Sequence, residues 1–177
     1  MAHDHRTNAA VCRCGETAVE VTAPPIESAI CYCESCRTAG RGFERELGAP
    51  QTVRPDGGVE YVVYRKDRVK IARGGQHLRE YRLKPTSPTR RVVAGCCNTP
   101  MFADFTSGHW LSLYRARLPE PSPAPRLCVM AKDRLDGVVP PAGIPAYDTF
   151  SPGLVIKLLV TWAAMGFRRP KVTFSGK

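Results

Sequence analysis

Short apolar runs broken by polar residues recur along much of the chain. Thr17 to Val21 alternates small or apolar with polar residues, and Val59 to Tyr64, Val69 to Ile71, Leu78 to Leu83 and Arg91 to Ala94 have strand-like character. Asp56-Gly57-Gly58 and Arg73-Gly74-Gly75 stand between such runs, where glycine takes up positive φ at little cost and the chain can reverse. The pattern predicts a body made of sheet.

Two stretches break that pattern. From Glu34 to Leu47, Phe43 and Leu47 fall one turn apart and Gly48 can close a short helix, although Gly40 and Gly42 weaken its interior. Nearer the end, Ser151 can cap, Pro152 suits a first helical turn, and Leu154, Val155, Leu158, Leu159 and Trp162 recur at helical spacing until Gly166. This second helix contains Lys157 and is shorter than the ~20 apolar residues a membrane span needs, so it reads as docked on the sheet. Before it, Pro119, Pro121, Pro123 and Pro125, then Pro140, Pro141 and Pro145, favour extended connections. The organisation expected is a polar tail over residues 1–10, a β domain over 11–117, and a Pro-rich arm with its helix over 118–177, packing on the same domain.

Composition narrows the classes. A chain of 177 residues with 43% hydrophobic and 24% charged residues suits one domain with a real core and speaks against global disorder. The net charge of +10 suggests an anionic partner. However, the basic residues are dispersed, with only short pairs such as Arg90-Arg91 and Arg168-Arg169 and no block of like charge, so a solvated surface is the stronger reading and neither nucleic acid nor a membrane is expected. The opening MAHDHRTNAAVC has no apolar signal core, so a cytoplasmic location is expected.

The chemistry lies in the cysteines. Seven of eight gather in three clusters: Cys12 and Cys14; Cys31, Cys33 and Cys36; and Cys96 and Cys97. Thiolates two or three residues apart on a tight turn can share one Zn²⁺, and a tetrahedral metal takes four protein donors or three with one position open, so seven suggest four plus three. Such grouping belongs to a reducing compartment, and the adjacent Cys96 and Cys97 are poorly placed to bridge each other. Spacing alone leaves open whether the metals only staple the fold. Cys128, in the apolar run Leu127 to Met130, reads as a buried core thiol. His77 and His109 lack ligand-like spacing, and His3 and His5 lie in the polar tail.

The order CRCG, then CYCESC followed by Arg37 and Gly40, then CCNTP resembles the glutathione-dependent formaldehyde-activating family, which includes centromere protein V. The resemblance spans Val11 to Phe102. It implies a mainly β, zinc-bearing, curled sheet, with a structural zinc shared by the first and third motifs and a second zinc at the middle motif that meets a thiol adduct. Carried over, Cys12, Cys14 and Cys97 are structural ligands, and Cys31, Cys33 and Cys36 form the open, catalytic-type site. The family's remaining structural ligand falls on Ala94, and Asn98 replaces a glycine. Cys96 is the expected substitute, which demands a turn or bulge, because adjacent side chains on a strand point to opposite faces. Arg37 is the expected holder of an anionic ligand. The resemblance implies a carbon–sulfur lyase acting on a small thiol adduct, with glutathione as co-substrate; the competing readings are a zinc-stapled binding module and a thiol redox sensor. Glu34 and Glu44 are the nearest candidate general bases.

Overall fold

The computed structural model describes residues 8–176. In chain order the strands are β1 (Asn8–Val11), β2 (Ala18–Val21), β3 (Glu27–Cys31), β4 (Val59–Arg65), β5 (Val69–Arg73), β6 (Leu78–Tyr81), β7 (Thr89–Ala94), β8 (Thr99–Phe105), β9 (Trp110–Tyr114) and β10 (Leu127–Val129). The α-helices are α1 (Glu34–Leu47) and α2 (Pro152–Ala164). The protein is mainly β with two helices, one near the C-terminus, as its patterning predicts.

The strands form a three-stranded sheet, β1-β2-β5, and a seven-stranded sheet, β10-β3-β4-β9-β8-β7-β6. Every pairing within them is antiparallel except β10 with β3. β1 starts at Asn8, inside the segment read as a polar tail, and residues 1–7, with His3 and His5, lie outside the described residues.

The two-residue period sorts the large sheet into two faces. Val62, Tyr64, Val92, Phe102 and Leu113 turn to one side and meet Val19 and Val21 of the small sheet in the main core. The other face carries Tyr61, Tyr114, Ala103 and Val93, with Ala39 and Phe43 of α1 packed on Val93. Leu154 of α2 packs on Ala29, Leu127 and Val129 of the same sheet.

α1 ends as predicted, on Gly48 in the left-handed region at φ 60°. Its mid-helix glycine has a packing reason: a Cβ on Gly40 would stand 2.5 Å from Val53 Cγ2 and 2.8 Å from Thr52 Oγ1, whereas one on Gly42 would meet nothing within 4 Å. Gly40→Ala is therefore expected to cost about 1–3 kcal/mol by overpacking, and Gly42→Ala to add about 0.5–1 kcal/mol of helix propensity. Urea unfolding of the two variants checks this; effects of the same sign would show that α1 does not rest on Val53 through Gly40.

α2 is capped as its sequence proposes: Ser151 Oγ accepts from the Leu154 N–H at 3.0 Å, Pro152 lies in the first turn, and Gly166 follows at φ 61°. Lys157 donates to buried Glu27 at 2.5 Å, which accounts for a charge in an otherwise apolar helix. His109 is buried, stacks on Trp162 and lies 3.2 Å from Thr161 Oγ1, so it fastens α2 to the sheet. No helix among the described residues is long and apolar enough to cross a membrane.

Candidate metal centres

The first centre forms where two loops meet. Cys12 and Cys14 lie just after β1, in a turn closed by the Gly15 N–H donating to Cys12 O at 3.0 Å. Cys96 and Cys97 lie in the β7–β8 hairpin, closed by the Cys97 N–H donating to Ala94 O at 3.3 Å. Asn98 takes φ 55°, left-handed geometry that asparagine tolerates better than most residues, and its side-chain amide donates to Leu47 O at the end of α1. Since Cys96 and Cys97 both lie in the turn of the hairpin and not on a strand, both sulfurs reach the same point. The strand objection to Cys96 does not apply.

The sulfur spacing tests the fit to a metal. Cys12 Sγ lies 3.5 Å from Cys14 Sγ and 3.8 Å from Cys96 Sγ, Cys14 Sγ lies 3.4 Å from Cys96 Sγ, and Cys96 Sγ lies 3.9 Å from Cys97 Sγ. A tetrahedral zinc with Zn–S of about 2.3 Å has sulfur–sulfur edges of about 3.8 Å. All four sulfurs lie within 4.8 Å of one another. Ala94, on which the resemblance would place a ligand, is buried in the main core together with Cys12.

Hydrogen bonds prepare the first group to lose protons. The Thr17 N–H donates to Cys12 Sγ at 3.2 Å, and Thr99 Oγ1 stands 3.0 Å from Cys97 Sγ. Burial alone would raise the Cys97 thiol, but the Thr99 hydroxyl, the Cys14 N–H and the neighbouring thiols together bring it down to about 6. Burial dominates at Cys96, which is pushed up to about 12. One thiolate is thus available at once, and metal binding would displace protons from the others.

The second centre lies on the helix-bearing face of the large sheet. Cys31 ends β3, Cys33 is the N-cap of α1, and Cys36 lies in its first turn. The three sulfurs lie within 4.8 Å of one another, and no fourth His, Cys, Asp or Glu among the described residues joins them. The Cys36 N–H donates to Cys33 Sγ at 3.4 Å, and Ser35 Oγ lies 3.3 Å from it. Cys33 is held well below the ordinary thiol range, first by the thiols of Cys31 and Cys36, then by Ser35 and the Cys36 N–H at the helix start. Its partners move the opposite way: Cys31 is raised mainly by Cys33, while Cys36, lowered by Cys31 but raised more by Cys33 and burial, reaches about 11.

The remaining candidates fall elsewhere. Arg37 uses Nη1 on the carbonyls of Tyr32 and Asp133, both at 3.1 Å, which ties the start of α1 to the arm. Glu44 accepts from the N–H groups of Thr52 and Val53 at 2.7 and 3.0 Å, so it holds a loop. Glu34 is exposed in the first turn of α1. Cys128 is buried in β10, as its apolar setting predicts.

Sequence reading passes over three groups beside the second centre. Tyr61 and Tyr114 are buried, their rings 5.0 Å apart and tilted 43°, and Cys31 and Cys36 pack against their cluster. Burial keeps both phenols protonated, pushing Tyr114 up to about 12 and Tyr61 well above its usual range. Arg91, 2% exposed, donates from Nη2 to Ser35 O at 3.0 Å. Strand alternation, which sets Arg91 on the face of Val93 rather than with Val92, is the signal that could have found it.

Among known proteins, the family model described as glutathione-dependent formaldehyde-activating enzyme matches residues 7–116. The crystal structure of a Rhodobacter sphaeroides protein aligns with a TM-score of 0.45 and 17% identity, covering 78% of this chain and 99% of that one. No curated protein matches the chain.

Proposed function

Because the chain belongs to the glutathione-dependent formaldehyde-activating family, we propose that it is a zinc enzyme of the carbon–sulfur lyase type acting on a small thiol adduct such as a glutathione conjugate. The observation behind this reading is the contrast between a group of four cysteines and a group of three. Four thiolates saturate a tetrahedral metal and leave a staple, whereas three leave one position for a ligand. Cys12, Cys14, Cys96 and Cys97 are assigned to the structural zinc, and Cys31, Cys33 and Cys36 to the reactive one. The zinc, when bound, supplies Lewis acidity that favours the thiolate form of an incoming sulfur.

The chain's own residues do the rest. Cys33, poised as a thiolate at the start of α1, gives the site its first negative ligand before any metal arrives. α1 holds Cys33 and Cys36 one turn apart, and β3 fixes Cys31 against the sheet. Tyr61 and Tyr114 remain neutral beside the sulfurs and can donate hydrogen bonds to an oxygen without adding charge. Arg37 would offer an anionic ligand only the N–H groups that Tyr32 and Asp133 leave free. With Glu44 engaged on its loop, neither it nor exposed Glu34 is assigned as a base. The free state of all eight cysteines suits a cytoplasmic setting.

Glutathione titration of the zinc-loaded protein, followed by X-ray absorption, is expected to add one sulfur neighbour to one of two zinc ions and leave the other unchanged. If saturating glutathione alters neither, the thiol-adduct reading falls and the zinc-stapled binding module takes its place.

A further inference from the structure

Arg91 is one of the largest fully buried side chains of the protein, at 2% exposure. Its neighbour Arg90 pairs with Glu80 and Asp104, but Arg91 forms no ion pair among the described residues, and its Nε and Nη1 find no hydrogen-bond partner there. Its one bond, from Nη2 to Ser35 O at 3.0 Å, fixes the guanidinium against the backbone between Cys33 and Cys36. The phenols of Tyr61 and Tyr114, also without hydrogen-bond partners among the described residues, lie in the cluster against which Cys31 and Cys36 pack.

A buried guanidinium with no counter-charge is strongly unfavourable. Glu46 lines the same pocket as Arg91 but is exposed and pairs with Arg45, which leaves the thiols of the second centre, on either side of Ser35, as the buried groups that can supply one. Three thiolates around a divalent metal leave one net negative charge, and a fourth thiolate makes two, a build-up that low-dielectric surroundings penalise unless a cation is fixed nearby. We propose that Arg91 is the resident counter-charge of the three-cysteine centre, and that it selects an anionic sulfur ligand over a neutral donor for the open position. This rests on the zinc reading above. Arg91 is a positioning residue in this account: it acts through charge on the site and touches no reacting atom.

The test separates charge from hydrogen bonding and from folding. The protein is loaded with cobalt(II), whose absorption reports its ligands, and binding of 2-mercaptoethanol and of imidazole at the second centre is measured for wild type, Arg91→Gln and Arg91→Lys. Gln keeps an N–H donor for Ser35 O without charge, and Lys keeps the charge. Arg91→Gln is expected to weaken 2-mercaptoethanol by roughly 10- to 100-fold while imidazole changes by less than about 3-fold. Arg91→Lys is expected to keep the wild-type preference within about 3-fold.

Loss of both ligands in parallel, or neither, in Arg91→Gln would overturn the assignment. If that variant fails to retain the first metal, Arg91→Lys decides alone, since loss of thiolate preference there contradicts a role in charge. Wild type that takes neither ligand at the second metal refutes the open-site reading itself, whereas wild type that takes both with a ratio insensitive to Arg91→Gln refutes this inference and leaves that reading standing.

Discussion

Cys12→Ser is expected to abolish folding at ordinary temperatures. Cys12 is buried in the main core, its sulfur meets Cys14 and Cys96 at 3.5 and 3.8 Å, and it accepts the Thr17 N–H. Zinc held at a four-sulfur structural site supplies ~10 kcal/mol or more to folding, comparable with the 5–15 kcal/mol net stability typical of a whole domain. The site joins the β1–β2 turn to the β7–β8 hairpin, so losing it also releases contacts between the two sheets. Circular dichroism melts with and without a chelator, together with zinc analysis, check this: the wild type should lose its cooperative transition on chelation and the variant should lack one from the start. A variant that melts like wild type with two zinc ions bound would show that Cys12 is not a structural ligand.

The companion expectation runs the other way. Cys33→Ser should abolish activity toward a thiol adduct and lower the zinc content from two equivalents to one, yet leave the melting curve close to that of wild type. Cys33 is the N-cap of α1, and a serine there still offers an oxygen to the Cys36 N–H, so the helix start survives the change. What is lost is one of three sulfur ligands, and two thiols with no further donor beside them are too few to hold the metal. Retention of both zinc ions in Cys33→Ser would remove it from the metal, and collapse of the fold would make the second centre a staple like the first.

Much of this was legible in the sequence where local chemistry decides. The ends of both helices follow from Gly48, Ser151, Pro152 and Gly166, each of which acts on its own turn. The strands β4 and β7 were legible from their valine- and tyrosine-rich, strand-like composition. β8, by contrast, is buried along nearly its whole length and carries Pro100, so it shows neither alternation nor an ordinary strand composition. β3 is hidden for the same reason: four of its five residues are buried, Glu27 among them. At the centres, cysteine spacing revealed the groups, and the hairpin turn explains why Cys96 reaches the first of them. The Arg91–Tyr61–Tyr114 surroundings were not legible, because three strands distant in sequence bring them together and each residue alone reads as ordinary. Arg37 was suggested by its proximity in sequence to the CxCxxC motif, whereas the bonds from its Nη1 to the carbonyls of Tyr32 and Asp133 depend on the arm folding back and have no sequence signal.

The parallel pairing of β10 with β3 bears on how much chain the metal centres require. The family match stops at residue 116, before β10, yet Val129 lies beside Cys31 and the Tyr32 N–H donates to Val129 O at 3.1 Å. Cut back to the matched region, the large sheet would present β3 as an open edge, with unpaired backbone groups beside the cysteine that ends it. Such edges recruit other strands, and pairing between copies is the usual result. A minimal version of this protein trimmed to its recognisable motifs should therefore be prone to self-association, with the three-sulfur centre at the place where chains stick.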